Sequence, residues 1–245
     1  MSFKNFKLGL RRSSNDHRDV KMQVPQDKIL PNKYEIPIIR CIYNQGDIGS
    51  CSANVICNQI MSIKNYDDNT YPSRLYQYYN SRKIDGNEKF DEGCSYRSAY
   101  KSLAKYGFTD EILWPYNTSK FTEEPTQEAY DKSNTTLVKR YQSLTQCLYS
   151  LQYAISQNIP VAFGTIVYEN FKNLDKNFVV PYPMGQQLGG HAMLLISYNN
   201  EKKLFKVQNS WGTEWGDGKG CCYMHYDHII DSNYCFDFWT ISKDE

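Results

Sequence analysis

The sequence predicts an α+β fold of two lobes, helical in the N-terminal half and antiparallel and β-rich in the C-terminal half, with a cleft between them. Three observations predict it. In the first half, apolar residues recur at helical spacing: Ala53, Ile56, Cys57, Ile60 and Met61, then Leu75, Tyr76 and Tyr79, then Tyr96, Ala99, Tyr100 and Leu103. In the second half the apolar residues gather in short runs bounded by turn residues, at 161–167, 192–196, 204–208 and 238–241. Between the halves, residues 114–136 are polar and carry Pro115 and Pro125, which reads as a crossing between lobes. Three regions follow: an N-terminal extension over 1–33, a helical lobe over 34–136 and a β-rich lobe over 137–245.

The elements are justified in order. Residues 1–33 begin polar and basic (Lys4, Lys7, Arg11, Arg12) with weak periodicity, and read either as a flexible tail or as a segment with a task of its own. Residues 30–43 are extended, because Pro31 and Pro37 block a helix. A glycine-bearing loop, Asn44 to Gly49, runs into a helix with Ser50 at its N-cap and Cys51 in its first turn. Asp67-Asp68-Asn69-Thr70 is a loop. Ser73 caps the next helix and Asp85-Gly86-Asn87 breaks it. Ser95 caps another, which stops at Gly107. The tyrosines on these two helices read as core packing. In the second half a helix is expected over Leu144, Cys147, Leu148, Leu151, Ala154 and Ile155, ended by Asn158 and Pro160. The runs after His191 and before Asn209 flank a turn at 199–203, so they form a hairpin. With Tyr198 opposite Leu204, His191 falls within two ladder places of Asn209.

These placements put chemistry at one point. A sulfur in the first turn of a helix meets unpaired backbone N–H groups and the positive end of the helix dipole, and both favour the nucleophilic thiolate. Cys51 is therefore the candidate nucleophile. It needs a base, and the base needs an orienting group. His191 and Asn209 supply these across the hairpin, provided the hairpin folds back over the helix. Gln45 can return across the glycine turn to offer its amide to an oxyanion.

On these residues the chain resembles the papain family of cysteine peptidases, the cathepsin-like clan C1. Gln45-Gly46 with Gly49-Ser50-Cys51, Gly190-His191-Ala192, and the run Asn209-Ser210-Trp211-Gly212-Thr213-Glu214-Trp215-Gly216 follow the family's motifs in order over residues 34–245. Cysteine and histidine stand near the family separation of about 130–150 residues. The resemblance implies catalytic Cys51, His191 and Asn209, and an oxyanion hole of the Gln45 amide and the Cys51 N–H. It implies Trp211 as cover for the His191–Asn209 bond, and a Cys51/His191 ion pair at rest. By analogy Gly93, Cys94 and Gly190 line the cleft, and the base of a side-chain pocket falls near Cys235-Phe236-Asp237. It also implies protein or peptide substrates and an endopeptidase; an exopeptidase of the same fold and a non-catalytic binding protein are the alternatives. Pro-segments of the family lie through the cleft in a non-productive direction, so residues 1–33 read either as a short propeptide or as a tail. Two departures touch the cleft: Ser52 stands where the family commonly has Trp, and Gly190 where it has Asn or Asp.

Eight cysteines raise the question of bridges. Ile48 stands where many secreted relatives have a cysteine, and Cys41, Cys57, Cys94 and Cys147 read as small buried hydrophobes. Cys221, Cys222, His225 and His228 have a spacing suited to zinc, with His225 and His228 expected on one helix face, but adjacent cysteines reach one ion only through a strained turn. No metal and no cofactor are expected. A net charge of +1 gives no signal for nucleic acid or membrane. The first residues lack the apolar core of a signal peptide, which predicts an intracellular protein. Two glycosylation sequons, at Asn117 and Asn134, then read as chance matches. Richness in Asn, Lys and Tyr suggests an AT-rich genome, as in protists and large viruses.

Overall fold

The computed structural model describes residues 6–14, 16–37, 42–64, 70–136, 138 and 140–242. The expectations for Lys4, Cys41 and 67–69 lie outside these residues. The first half holds helices α1 (Cys51–Ile63), α2 (Arg74–Asp85), α3 (Tyr96–Tyr106) and the short α4 (Gln127–Asp131). The second half is one antiparallel sheet. Its strands β4 (Arg140–Ser143), β5 (Val161–Tyr168), β6 (Gln187–Asn199), β7 (Leu204–Gln208), β8 (Cys221–His225) and β9 (Cys235–Ser242) run in the order β4-β9-β5-β6-β7-β8. Strand β2 (Lys33–Glu35) pairs with the turn end of β6, so the sheet reaches back to Lys33. Helix α5 (Leu148–Ser156) and the one-turn α6 (Tyr226–Ile230) pack on this sheet.

Helix α1 is the axle. Cys51 to Met61 are all buried, because α2 and α3 cover one side and the sheet the other. Polar groups pin it across the lobes. Gln59 Nε2 donates to the carbonyls of Pro160 and Trp239, both at 3.1 Å, and Tyr100 Oη donates to Gln59 Oε1 at 2.7 Å. Tyr96 Oη donates to the Phe163 carbonyl at 3.0 Å. A buried amide left unpaired costs about 1–3 kcal/mol, so these bonds fix the sheet against the helices as well as any apolar contact.

The expected caps of α2 and α3 are present. Ser73 and Ser95 accept from the backbone N–H groups of Tyr76 and Ser98, and Gly86 and Gly107 close the C-termini with positive φ. The tyrosines expected inside are inside: Tyr76, Tyr79, Tyr96 and Tyr100 are buried, and Tyr100 stacks on Tyr141 at 5.5 Å. Three expectations need correction. Helix α5 begins at Leu148, not Leu144, because the Leu144 N–H pairs with the Phe238 carbonyl of β9 and Cys147 holds the N-cap. Residues 114–136 are no mere crossing: Trp114 and Ala129 are buried in a cluster with Leu75, Tyr76 and Tyr78. His225 and His228 do not share a helix face, since His225 ends β8 and only His228 lies within α6.

The β6–β7 hairpin is one place tighter at its turn than expected, with Asn199 opposite Leu204 and Tyr198 opposite Phe205. An irregularity between Leu195 and Ser197 restores the expected alignment, so Leu194 faces Gln208 and Asn209 lies two places from His191.

Cys51, Cys57, Cys94, Cys221, Cys222 and Cys235 are buried free thiols, whereas Cys147, expected inside, is only partly buried at the N-cap of α5. Cys221 and Cys222, being neighbours on a strand, face opposite sides and join different core clusters. No helix among the described residues is long and apolar enough to cross a membrane.

Candidate active site

Cys51 opens α1, as expected, with Ser50 at the N-cap position. Ser50 does not cap through its side chain; its hydroxyl lies 2.6 Å from Tyr116 Oη. The Cys51 sulfur meets backbone groups of Ala192, Gly9 and Ser52. Ala192 follows His191 on β6, so the histidine strand lies against the sulfur. His191 is fully buried. Its Nε2 lies 2.7 Å from Asn209 Oδ1, which also accepts from the Ser210 N–H at 2.8 Å. An oxygen that already accepts one N–H assigns the imidazole proton to Nε2 and leaves Nδ1, which has no hydrogen-bond partner, as the free base. Trp211 stacks on the imidazole at 4.8 Å between ring centroids, which keeps water from the His191–Asn209 bond.

Gln45 is buried and held from both ends. Its backbone N–H donates to the Ser210 carbonyl at 2.9 Å, and its Oε1 accepts from Ser210 Oγ at 2.7 Å. Its amide Nε2 is thereby turned outward, where it donates to the carbonyls of Ile48 at 3.0 Å and Lys7 at 2.9 Å.

Lys7 belongs to a segment that fills the cleft. Strand β1 (Leu10–Arg11) pairs in parallel with β3 (Cys94–Ser95), and the Cys94 N–H donates to the Gly9 carbonyl at 3.0 Å. Phe6 stacks on Trp211 at 4.9 Å on one side of Cys51. On the other side the buried Leu10 side chain enters a pocket against Gly164 and Phe236. Ion pairs clamp the segment: Lys7 to Asp91 at 2.8 Å and Arg11 to Asp85 at 2.6 Å. The Ser13 N–H donates to Asp237 Oδ2 at 2.6 Å. Arg97 binds Asp19 and the Ser14 carbonyl beyond it.

Burial decides the protonation states. Desolvation pushes the Cys51 thiol up, against backbone contacts that pull it down. It pushes His191 down to about 4, with the Asn209 bond opposing. With the segment in place, burial works against the ion pair expected at rest, on the sulfur and on the imidazole alike.

The family model for papain family cysteine proteases matches residues 31–235. The chain belongs to the papain family. It is 34% identical over 215 residues to an uncharacterized peptidase C1-like protein of Acanthamoeba polyphaga mimivirus, covering 82% of this chain and 69% of that protein. It is 25% identical to cysteine proteinase 1 of Entamoeba histolytica over 94% of this chain and 73% of that one. Among solved structures, xylellain, a cysteine protease from Xylella fastidiosa, superposes with a TM-score of 0.90 at 28% identity, over 100% of this chain and 99% of that chain. The chain is thus a papain-like cysteine peptidase in the two-lobed papain fold, and such enzymes take protein or peptide substrates.

Within the papain fold, the cleft residues expected by analogy all touch the bound segment. A Cβ on Gly93 would stand 1.7 Å from the Gly9 carbonyl oxygen, and one on Gly190 2.3 Å from that of Leu10. Positive φ at Gly93, +65°, adds a second reason for glycine there. Phe236 walls the Leu10 pocket, and Asp237 holds the segment's backbone. Three residues at the site carry no motif: Phe6, Leu10 and Asp91. The alternation Phe6-Lys7-Leu8-Gly9-Leu10 is a strand signal, overshadowed by the basic residues around it. Asp91 has no signal in the sequence.

Proposed function

We propose that this chain hydrolyses peptide bonds as an endopeptidase through Cys51 and His191, and that its N-terminal extension, residues 1–33, is a short propeptide that covers the cleft. The extension ends where Lys33–Glu35 joins the sheet; the helical lobe then runs to about 136 and the β-rich lobe from 137. One observation carries the reading: a peptide from Phe6 to Arg12 lies through the cleft on both sides of Cys51, with its backbone at the sulfur and a carbonyl on the Gln45 amide. A cleft that takes a chain on both sides of the nucleophile suits internal bonds. The parallel pairing of Leu10–Arg11 with Cys94–Ser95 fits the reversed direction, with substrate running antiparallel.

The steps follow from the groups in place. Once the segment leaves and water returns, the His191 Nδ1 takes the Cys51 proton and the thiolate–imidazolium pair becomes the favoured form. The sulfur attacks the scissile carbonyl carbon, forming the C–S bond while the carbonyl electrons move onto oxygen. The Gln45 Nε2–H and the Cys51 N–H hold that oxyanion. On collapse the C–N bond breaks and the leaving amine takes the proton from His191. Water then attacks the thioester as His191 takes its proton; collapse breaks the C–S bond, which releases the new carboxyl end and restores the thiolate–imidazolium pair. Asn209 keeps the imidazole turned toward the sulfur throughout.

Alkylation of the full-length chain by a thiolate-directed epoxide, with cleavage of an internally quenched peptide, tests this. Both should occur at Cys51 and vanish in Cys51→Ala. Folded protein that never labels at Cys51 would make it a binding protein. Turnover of fluorogenic dipeptides alone would make it an exopeptidase.

A further inference from the structure

Asp91 lies on the loop that leads into β3, and its carboxylate is split between two tasks. Its Oδ1 accepts from the Gly49 N–H at 2.9 Å and from Tyr78 Oη. Gly49 stands two residues before Cys51, so this oxygen holds the loop that carries the nucleophile. Burial first, and the Asp91 contact second, keep the Tyr78 phenol protonated, hence a donor. The buried Arg82 lies over the Tyr78 ring at 4.0 Å, but donates to the carbonyls of Glu88, Phe90 and Phe121. Oδ2 is left for a cation, and Lys7 Nζ occupies it at 2.8 Å, on a carboxylate only 12% exposed.

The position of Lys7 gives this pair its meaning. Its carbonyl oxygen is the one on Gln45 Nε2, at 2.9 Å. In a substrate, the residue whose carbonyl sits there is the residue on the acyl side of the scissile bond. From that carbonyl to Asp91 Oδ2 is therefore one lysine side chain in length. We infer that Asp91 is a specificity-determining residue: the enzyme prefers peptides with a lysine or arginine immediately before the cleaved bond, and Lys7 occupies that subsite in the covered form. The inference rests on the proposed role of Cys51 and extends it to a substrate class, basic peptide segments. A reversed chain places its Cα differently from a substrate, but the two share the carbonyl position and so the reach. Lysine at this place in the segment is then a mimic of the substrate side chain.

The test uses the full-length chain and two peptidyl acyloxymethyl ketones, identical except for lysine or norleucine at the position that meets Asp91. Each alkylates Cys51 with loss of the carboxylate leaving group, and intact mass with peptide mapping reads the rate. The fraction of molecules with an open cleft multiplies both rates and cancels from their ratio. A ratio of about tenfold in favour of lysine is expected at low salt, falling as salt screens the pair. Asp91→Asn keeps an oxygen for Gly49 and Tyr78 but loses the charge, and should bring the ratio to about one. A wild-type ratio near one overturns the inference while leaving Cys51 as nucleophile. So does an Asp91→Asn variant that slows both probes and keeps the ratio, since that is the mark of a purely structural carboxylate. No labelling by either probe, even with the segment loosened by Leu10→Asp, removes the nucleophile and with it the inference.

Discussion

Leu10→Ala should open the cleft, and the structure sets the size of the effect. Leu10 is the buried anchor of the segment, 5% exposed, in the pocket formed with Gly164 and Phe236. Core Leu→Ala changes cost about 2–5 kcal/mol, the higher values where a cavity cannot collapse. Here the pocket faces a cleft that water enters as soon as the segment lifts, so the lower part of the range applies, about 2–3 kcal/mol. At 1.4 kcal/mol per factor of ten, the open fraction rises by about 30- to 140-fold. The ion pairs at Asp91 and Asp85 are untouched and keep the variant mostly closed, so the alkylation rate of Cys51 follows the open fraction. That rate, measured as a second-order constant with an epoxide on full-length protein, should rise by the same factor. Leu10→Met, which conserves volume, should change it by less than about tenfold. A Leu10→Ala rate within twofold of wild type would refute the reasoning, because the segment would then be held by something other than its buried side chain, or would not gate the sulfur at all.

Three further outcomes are expected. Gln45→Ala should lower kcat by about 10²–10³, with KM little changed, as for loss of one oxyanion donor; stopped assays on an internally quenched peptide read it. Stability should fall on acidification: the His191 pKa in the fold is about 4, below its ordinary 6.5, so the unfolded chain takes up a proton first and stabilisation present above pH 6.5 is lost as pH falls toward 4. The loss for this group is about 3 kcal/mol, urea midpoints from pH 7 to pH 4 measure it, and His191→Gln should flatten that part of the profile. Arg82→Met should cost about 1–3 kcal/mol in a denaturant titration, since it removes the buried guanidinium that holds the carbonyls of Glu88 and Phe90 at 2.6 and 2.8 Å.

What was legible in the sequence was local or repeated. The caps at Ser73 and Ser95 and the stops at Gly86 and Gly107 are set by a few neighbouring atoms, and they appear where the residues predict. The alignment of His191 with Asn209 was legible because two short apolar runs and one turn fix a hairpin; the irregularity near Ile196 only returned the register to where counting put it. Failures came where a distant partner decided. Leu144 has helical spacing with Leu148 and Leu151, but a β9 carbonyl claims its N–H. Ser50 has the right residue type for a side-chain cap, but the Tyr116 hydroxyl claims its oxygen. Residues 114–136 are polar on average, yet Trp114 and Ala129 complete a core that α2 alone would leave open.

The cleft occupant was the hardest feature to read, for an electrostatic reason. Lys7, Arg11 and Arg12 look like a solvated tail because charge near a chain end usually is one. Their partners stand far off in sequence, Asp91 and Asp85 on one wall and the Phe236 ring, 5.0 Å from the Arg12 guanidinium, on the other. None of those partners belongs to a motif, since a motif records the reacting groups and not the walls that hold a peptide against them. A basic segment and an acidic wall are complementary surfaces, and the wall keeps its charge when the segment leaves. Coulomb attraction at about 3 Å between a nearly buried carboxylate and a cation does not depend on chain direction. The contacts that close the enzyme with its own lysine therefore favour a substrate lysine once it is open, so covering and specificity share one carboxylate. Replacing Lys7 by methionine should speed opening without altering which peptides are then preferred, whereas changing Asp91 should alter both. Full-length Lys7→Met and Asp91→Asn proteins, compared by alkylation rate with the lysine and norleucine probes, separate the two effects. Equal lysine preference in both variants would show that the wall charge does not select the substrate.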